Sequence, residues 1–479
     1  MGRRLQNVAI GSLIAFLIVA LNLTYWSVIE RDRLRTRADN PRRIEAERAT
    51  VRGRILDRNS VVLARSEPSG RMLSGAVAQR RVYPHESAFS VTGYYSLVYG
   101  SSGAEFAFED ALRGTARSDA WSAALDELLN RPLRGDDLRL TVDVQLQVVA
   151  AQAFGEHRGA AVLLEVPSGA VRLLYSTPIY DPNTLDADWE RLRNDPSAPL
   201  LNRALQGTYQ LGGALQLIIY AAMLANPAGQ PHTFASAALP LSLDALTVRC
   251  AVEPSAPIKG LEDALAYGCP RLFAEFALEY PAQVQEKIAA FGLLSVSPLD
   301  GYPVAAERRV TPLNELTAPT DRLRAGVGQG DLTVTPLQMA LVASGIANYG
   351  NLVTPYIADA LRAPDSETWQ PVSRLSIERA AMTREAAERM RAALRESVLS
   401  GSAQAALTSD LPPEATLYAH ASLAFSGNTQ HGWLIGFVAL PDGRALALAT
   451  VVESVEDVHI AARIGGRLLA SAAQRALQD

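Results

Sequence analysis

Between Arg4 and Glu30 the chain carries no charged residue, and Val8 to Leu23 (VAIGSLIAFLIVALNL) has only Ser12 and Asn22 as polar interruptions. About 20 mostly apolar residues in a helix cross the hydrocarbon core of a bilayer. A helix that is apolar all round must bury every face, so this segment commits the N-terminus to a membrane-spanning helix. Tyr25 and Trp26 follow where an interfacial aromatic belt belongs. A secretory signal peptide has a shorter apolar region of about 7–15 residues and a small-x-small cleavage site, so the reading is an uncleaved anchor. Flanking charge leaves the orientation open: Arg3 and Arg4 precede the segment, and Arg31, Arg33, Arg35 and Arg37 follow it. A long domain crosses the membrane regardless of such local charge.

The 479 residues leave room for about two or three domains beyond the anchor. With 48% hydrophobic and 20% charged residues the chain can bury a sizeable core. A net charge of −5, with no zinc-finger or helix-turn-helix spacing, excludes nucleic acid as an expected partner. The six histidines (85, 157, 232, 420, 431, 459) are scattered and the two cysteines do not make a metal set, so neither a metal nor any other cofactor is expected. Cys250 and Cys269 are either one disulfide or two small buried hydrophobes. Only two of the 45 basic residues are lysines, Lys259 and Lys287, so any lysine-dependent chemistry must use one of them.

Residues 30–58 hold ten arginines and six acidic residues, the composition of a solvated stalk. From Arg52 to Ala64 two apolar pieces flank Asp57-Arg58-Asn59-Ser60, the pattern of a β-hairpin. A third strand is expected over Gly70 to Val77, and helices over Ala104 to Gly114 and Asp119 to Asn130. Asp137 to Val142 reads as a strand, and Asp143 as the cap of a helix running to about Phe154. Strands at Gly159 to Glu165 and Ala170 to Ser176 are joined by Val166-Pro167-Ser168-Gly169, a turn sequence. An apolar helix is expected from about Gly213 to Asn226, further helices near 336–350, 384–399 and 458–476, and strands near 431–440 and 443–453. Helices packed on an antiparallel sheet make the fold class α+β.

Several separated stretches together resemble one family, the class B penicillin-binding proteins that cross-link bacterial peptidoglycan, of the actinobacterial elongation or division type. They are RGRILDRNSVVLA at 52–64, RVYPHESAFSVTGYYSLVYG at 81–100, LRLTVDVQLQ at 138–147, GAAVLLEVPSGAV at 159–171, PIYDPN at 178–183, NRA at 202–204 and GVGQGDLTVTPLQMALVASGIANYGNLVTPY at 326–356. The resemblance implies an anchor and stalk (1–40), a β-rich, dimerisation-like pedestal (41–136) and a serine-transpeptidase-like domain (137–479). It also implies a single-pass cell-membrane protein with its globular part outside the cytoplasm. The partners it implies are the membrane, a polytopic cell-wall glycosyltransferase or other envelope-synthesis proteins, and the peptidoglycan stem peptide.

The family's chemistry needs three clusters. In Ser-x-x-Lys the serine attacks the peptide carbonyl and the lysine, one helical turn on, receives its proton. The resemblance brings Gly213 to the nucleophile position and Gln216 to the base position. Glycine has no side chain, and an amide is no base. Three residues before the two lysines stand Ala256 and Val284, so Ser-x-x-Lys occurs nowhere in the chain. Ser-x-Asn maps to Gly268-Cys269-Pro270, and Lys-Thr-Gly to Phe425-Ser426-Gly427. The expectation is a catalytically silent relative acting as scaffold or regulator of envelope machinery. The alternative is an active transpeptidase or hydrolase with unusual residues, such as Ser402, Ser422 or Ser426 paired with His420 or His431. Phe425, Leu211 and Leu215 are expected to make the cleft apolar.

Overall fold

The computed structural model describes residues 2–26, 41–72, 75–116, 131–243, 246–307, 309–374 and 379–478. Helix α1 (Gly2–Thr24) contains one stretch, Gln6–Thr24, long and apolar enough to cross a membrane. Strands β1 (Ile55–Leu56), β2 (Val62–Arg71), β3 (Val77–Val82) and β4 (Asp137–Leu140) come next, followed by helix α2 (Val144–Phe154) and strands β5 (Gly159–Val166) and β6 (Val171–Thr177). Helices α3 (Gln216–Ala225), α4 (Leu261–Ala266) and α5 (Pro336–Ala347) precede strands β7 (Ala358–Arg362) and β8 (Gln370–Pro371). Helix α6 (Arg384–Ser400), strands β9 (Thr416–Ser426), β10 (Thr429–Ala439) and β11 (Ala445–Glu453), and helix α7 (Val458–Ala476) complete this set.

The hairpin at 55–64 forms because Asp57 turns its own chain. Its Oδ1 accepts the backbone N–H groups of Asn59 and Val61, both at 2.8 Å, and lets β1 pair back onto β2. β1 also pairs in parallel with β4, and the sheet runs in the order β8-β7-β4-β1-β2-β3. This sheet draws β1, β2 and β3 from before residue 136 and β4, β7 and β8 from after it. Beneath it Arg52 and Arg81 close on Glu105, which is fully buried and 2.9 and 2.5 Å from them. Burial alone would raise the Glu105 carboxyl, but Arg81 and Arg52 outweigh it and leave the group below its usual range. Two readings change here. The strand expected over Gly70–Val77 is split, because β2 ends at Arg71, the Met72 N–H donates to the Ala76 carbonyl and β3 starts at Val77. The helix expected over Asp119–Asn130 lies outside the described residues.

The larger sheet is antiparallel, in the order β9-β10-β11-β5-β6. Side chains alternate along each strand. On β11, Ala445, Ala447, Ala449 and Val451 enter the core shared with α5, while Leu446, Leu448 and Val452 enter the one shared with α7. Helices cover both faces, which is why these strands read as unbroken apolar runs rather than as polar-apolar alternation. Helix α5 is itself buried along its whole length, opened by a capping box between Thr335 and Gln338. Helix α2 begins where Asp143 accepts the N–H of Gln145 at 2.8 Å. Strand β9, at the edge of the sheet, escaped sequence reading because its Ala, Ser and His residues carry little strand signal.

Candidate functional site

The site is built where the head of α3 meets β9. Tyr209–Gln210 pairs with Thr333–Val334, and the chain then turns at Gly212, whose φ of +52° suits glycine. A single turn of 3₁₀ helix, Gly212–Leu215, feeds into α3, which is buried from Gln216 to Met223. Gly213 sits in that turn outside the left-handed region, so its backbone would accept any residue. Its missing side chain faces β9: a Cβ there would stand 2.8 Å from Ser422 Cβ, 3.5 Å from Ser422 Oγ and 3.6 Å from Gln216 Nε2. His420 Nε2 donates to the Gly213 carbonyl at 3.3 Å, and Gln216 Nε2 donates to the Gly268 carbonyl at 3.3 Å.

Gly213, Gln216, Gly268, Pro270 and Phe425 all line one cavity of about 230 Å³, together with Ser422. Arg249 is the one charged residue among its described lining residues. The floor is uncharged. His420 is fully buried, and burial pushes its pKa down to about 4, so the ring is neutral and carries its proton on Nε2. Burial also depresses His431, whose Nε2 donates to the Gln210 carbonyl at 2.9 Å alongside Trp433 Nε1.

Several sequence expectations take other places. Phe425 and Ser426 are the last residues of β9 and Gly427 is in the hairpin turn with a φ of +60°, so only Phe425 reaches the cavity. The glycine there answers a turn rather than a substrate groove, and the side chains β9 turns toward Gly213 are His420 and Ser422, five or more residues earlier. Leu211 and Leu215 are buried and face a separate cavity behind the turn, so they do not make the cleft apolar. Cys250 and Cys269 are joined in a disulfide that ties the cavity wall to the Gly268 turn. Gln329, within the GVGQGD stretch that sequence reading used only for the resemblance, borders both cavities.

The chemistry this arrangement can perform follows from what is within reach. Ser422 Oγ is buried without a hydrogen-bond partner, so no base takes its proton. Ser402 is committed to Ser397 and to the N–H of Ala421, and Ser426 is at an exposed hairpin end. Lys287 donates to the Ala381 carbonyl, in the bend before α6, and Lys259 is exposed; neither lines the cavity. Among the described residues no group of three or more His, Cys, Asp or Glu could hold a metal.

The penicillin binding protein transpeptidase domain matches residues 159–470, and the penicillin binding protein A dimerisation domain matches 52–138. The peptidoglycan D,D-transpeptidase PbpA of Mycolicibacterium smegmatis is 33% identical over 390 residues, covering 77% of each chain. Its namesake in Mycobacterium tuberculosis is 30% identical over 394 residues, covering 76% of each. Among solved structures, the imipenem acyl-enzyme complex of M. tuberculosis penicillin-binding protein A aligns with a TM-score of 0.76 at 28% identity, covering 89% of this chain and 99% of that one. A matched dimerisation domain, a matched transpeptidase domain and the helix-covered antiparallel sheet behind the cavity place this chain among the class B penicillin-binding proteins, the D,D-transpeptidase family of peptidoglycan synthesis.

Proposed function

We propose that this protein is a catalytically silent class B penicillin-binding protein, a pseudo-transpeptidase that serves cell-wall synthesis as scaffold or regulator. The observation that carries the reading is Gly213 at the head of α3, with Ser422 and His420 facing it and Gln216 one turn on. We place the third cluster at His420-Ala421-Ser422 rather than at Phe425-Ser426-Gly427, because that part of β9 faces Gly213. The cation is then a neutral buried histidine, the hydroxyl an alanine and the glycine a serine, so all six side-chain positions of the three clusters are changed. Loss of a serine nucleophile or its base from a comparable acyl-transfer enzyme costs roughly 10⁶-fold in rate, about 8 kcal/mol of barrier. An active transpeptidase is what the relatives' names suggest, and the lack of a base beside Ser422 counts against it.

The same reading puts the α1 helix across the cell membrane with residues beyond about 40 outside the cytoplasm, a pedestal over 41–136 and the transpeptidase-like domain over 137–479. Its partner is a polytopic envelope protein such as a glycosyltransferase, engaged through the anchor and pedestal, and its role lies in growth or division. Incubating the membrane-embedded chain with a fluorescent β-lactam tests the silence: no covalent band is expected, and a saturable, stoichiometric adduct would refute it. Deleting residues 1–40 should abolish co-purification of the membrane partner; undiminished recovery would argue against the scaffold role.

A further inference from the structure

Behind the turn that carries Gly213 lies a second cavity, of about 360 Å³, larger than the cleft itself. Its walls are Leu211, Leu215, Ile288, Leu294, Leu313 and Leu316. Leu211, Leu215, Ile288 and Leu313 are each no more than 5% exposed and make an apolar floor, while Gln285, Thr311 and Gln329 also line the cavity. That volume falls in the range of pockets that hold small organic ligands, about 300–1,000 Å³. The rim differs from the walls. Asp321 and Asp331 border it, both exposed, and among the described residues neither is within ion-pair distance of a basic group. Arg324 is the one cation on the rim, and it has contacts of its own within the protein. Asp321 opens the helix Pro319–Gly326, where a carboxylate suits the helix dipole, but Asp331 has no such explanation.

We propose that this cavity is a binding site for a primary alkylammonium ion, its aliphatic tail among the leucines and its charged head between Asp321 and Asp331. Each methylene buried adds about fourfold to affinity, and that gain is blind to the head group. The acidic rim supplies the selection: it attracts an ammonium, is indifferent to an alcohol and repels a carboxylate. Leu211 and Leu215 bracket Gly213, so an occupant presses on the back of the turn that floors the cleft. The site is independent of whether the cleft is catalytic.

The test uses the full chain in lipid nanodiscs, with empty nanodiscs to subtract partition into lipid, and n-hexylammonium, 1-hexanol and hexanoate as probes read by saturation-transfer NMR and thermal shift. Hexylammonium should bind and raise the melting temperature, hexanol should bind at least tenfold more weakly, and hexanoate should not bind. The surface pair Asp321→Asn and Asp331→Asn should bring hexylammonium down to the level of hexanol without changing hexanol. Ala325→Trp, which fills the cavity, should abolish both. Equal binding of hexanoate and hexylammonium, retention of the ammonium preference in the double Asn variant, or absence of any binding by hexylammonium would each overturn the proposal.

Discussion

Placing a serine at 213 restores the residue type that the family's chemistry needs, yet the structure predicts that this change alone destabilises the protein. The new Cβ would sit 2.8 Å from Ser422 Cβ, against about 3.5–4.0 Å for an ordinary carbon contact. Ser422 is on the central part of an edge strand whose pairing with β10 runs unbroken from Thr416 to Ser426, so the backbone has little freedom to retreat. Overpacking of this kind costs about 1–3 kcal/mol, and exchanging glycine for serine at a helix start returns about 0.5 kcal/mol. Gly213→Ser is therefore expected to lose about 1–2 kcal/mol. Ser422→Gly removes the opposing carbon, at about 0.5–1 kcal/mol for a glycine in a strand. The double variant should be more stable than the sum of the two changes by about 1–2 kcal/mol, measured by denaturant unfolding of all four members of the cycle. A coupling within about 0.5 kcal/mol of zero, the noise of such cycles, would refute the claim that these positions compete for one volume. Adding Gln216→Lys to the double variant supplies a base, and a fluorescent β-lactam adduct on this triple variant alone is the expected outcome.

The fully buried His420 is held neutral with a pKa of about 4 against 6.5 for a free ring, so the unfolded chain takes up its proton first as the pH falls. Stability attributable to it is complete above about pH 6.5 and declines toward pH 4 by up to about 3 kcal/mol, and His420→Gln should flatten the unfolding free energy over that window even though His431 still contributes in the same direction. Glu105→Ala leaves Arg52 and Arg81 buried without their carboxylate and should cost about 3–5 kcal/mol in unfolding measurements; a loss below 1 kcal/mol would mean that water already screens the cluster. Replacing both Cys250 and Cys269 with serine opens a loop of 19 residues' separation and should lower stability by about 3 kcal/mol, with the wild type matching the variant only when reductant is present.

How much of this could be read without coordinates differs from element to element. Helix α7 was legible to the residue because a long amphipathic run begins at the cap Asp457, and α2 because Asp143 precedes an apolar run. The α+β class followed from the same periodicities. Strand β9 was not legible, since an edge strand of small residues has neither strong strand propensity nor a clean alternation. Ser426-Gly427 reads as a motif remnant in the sequence, but Gly427 lies in a hairpin turn, and such a turn also selects glycine. Gly213, Gln216, Gly268 and Pro270, singled out in the sequence, line one cavity because each pair is set by local spacing, at a helix head and at a helix-to-helix turn.

What the sequence determined by itself is a matter of composition and local order. An uncharged apolar run long enough to cross a bilayer, and two lysines with no serine three residues before them, hold whatever the fold. What only the tertiary structure decided is the partner of an absent side chain. Gly213 is a vacancy in the sequence, but Ser422, more than two hundred residues later, faces it because strand pairing fixes which side chains of β9 point toward the head of α3. The register of a sheet is a long-range property with a period of two, so it determines at once that His420 and Ser422 face the Gly213 turn and that Ala421 enters the opposite core.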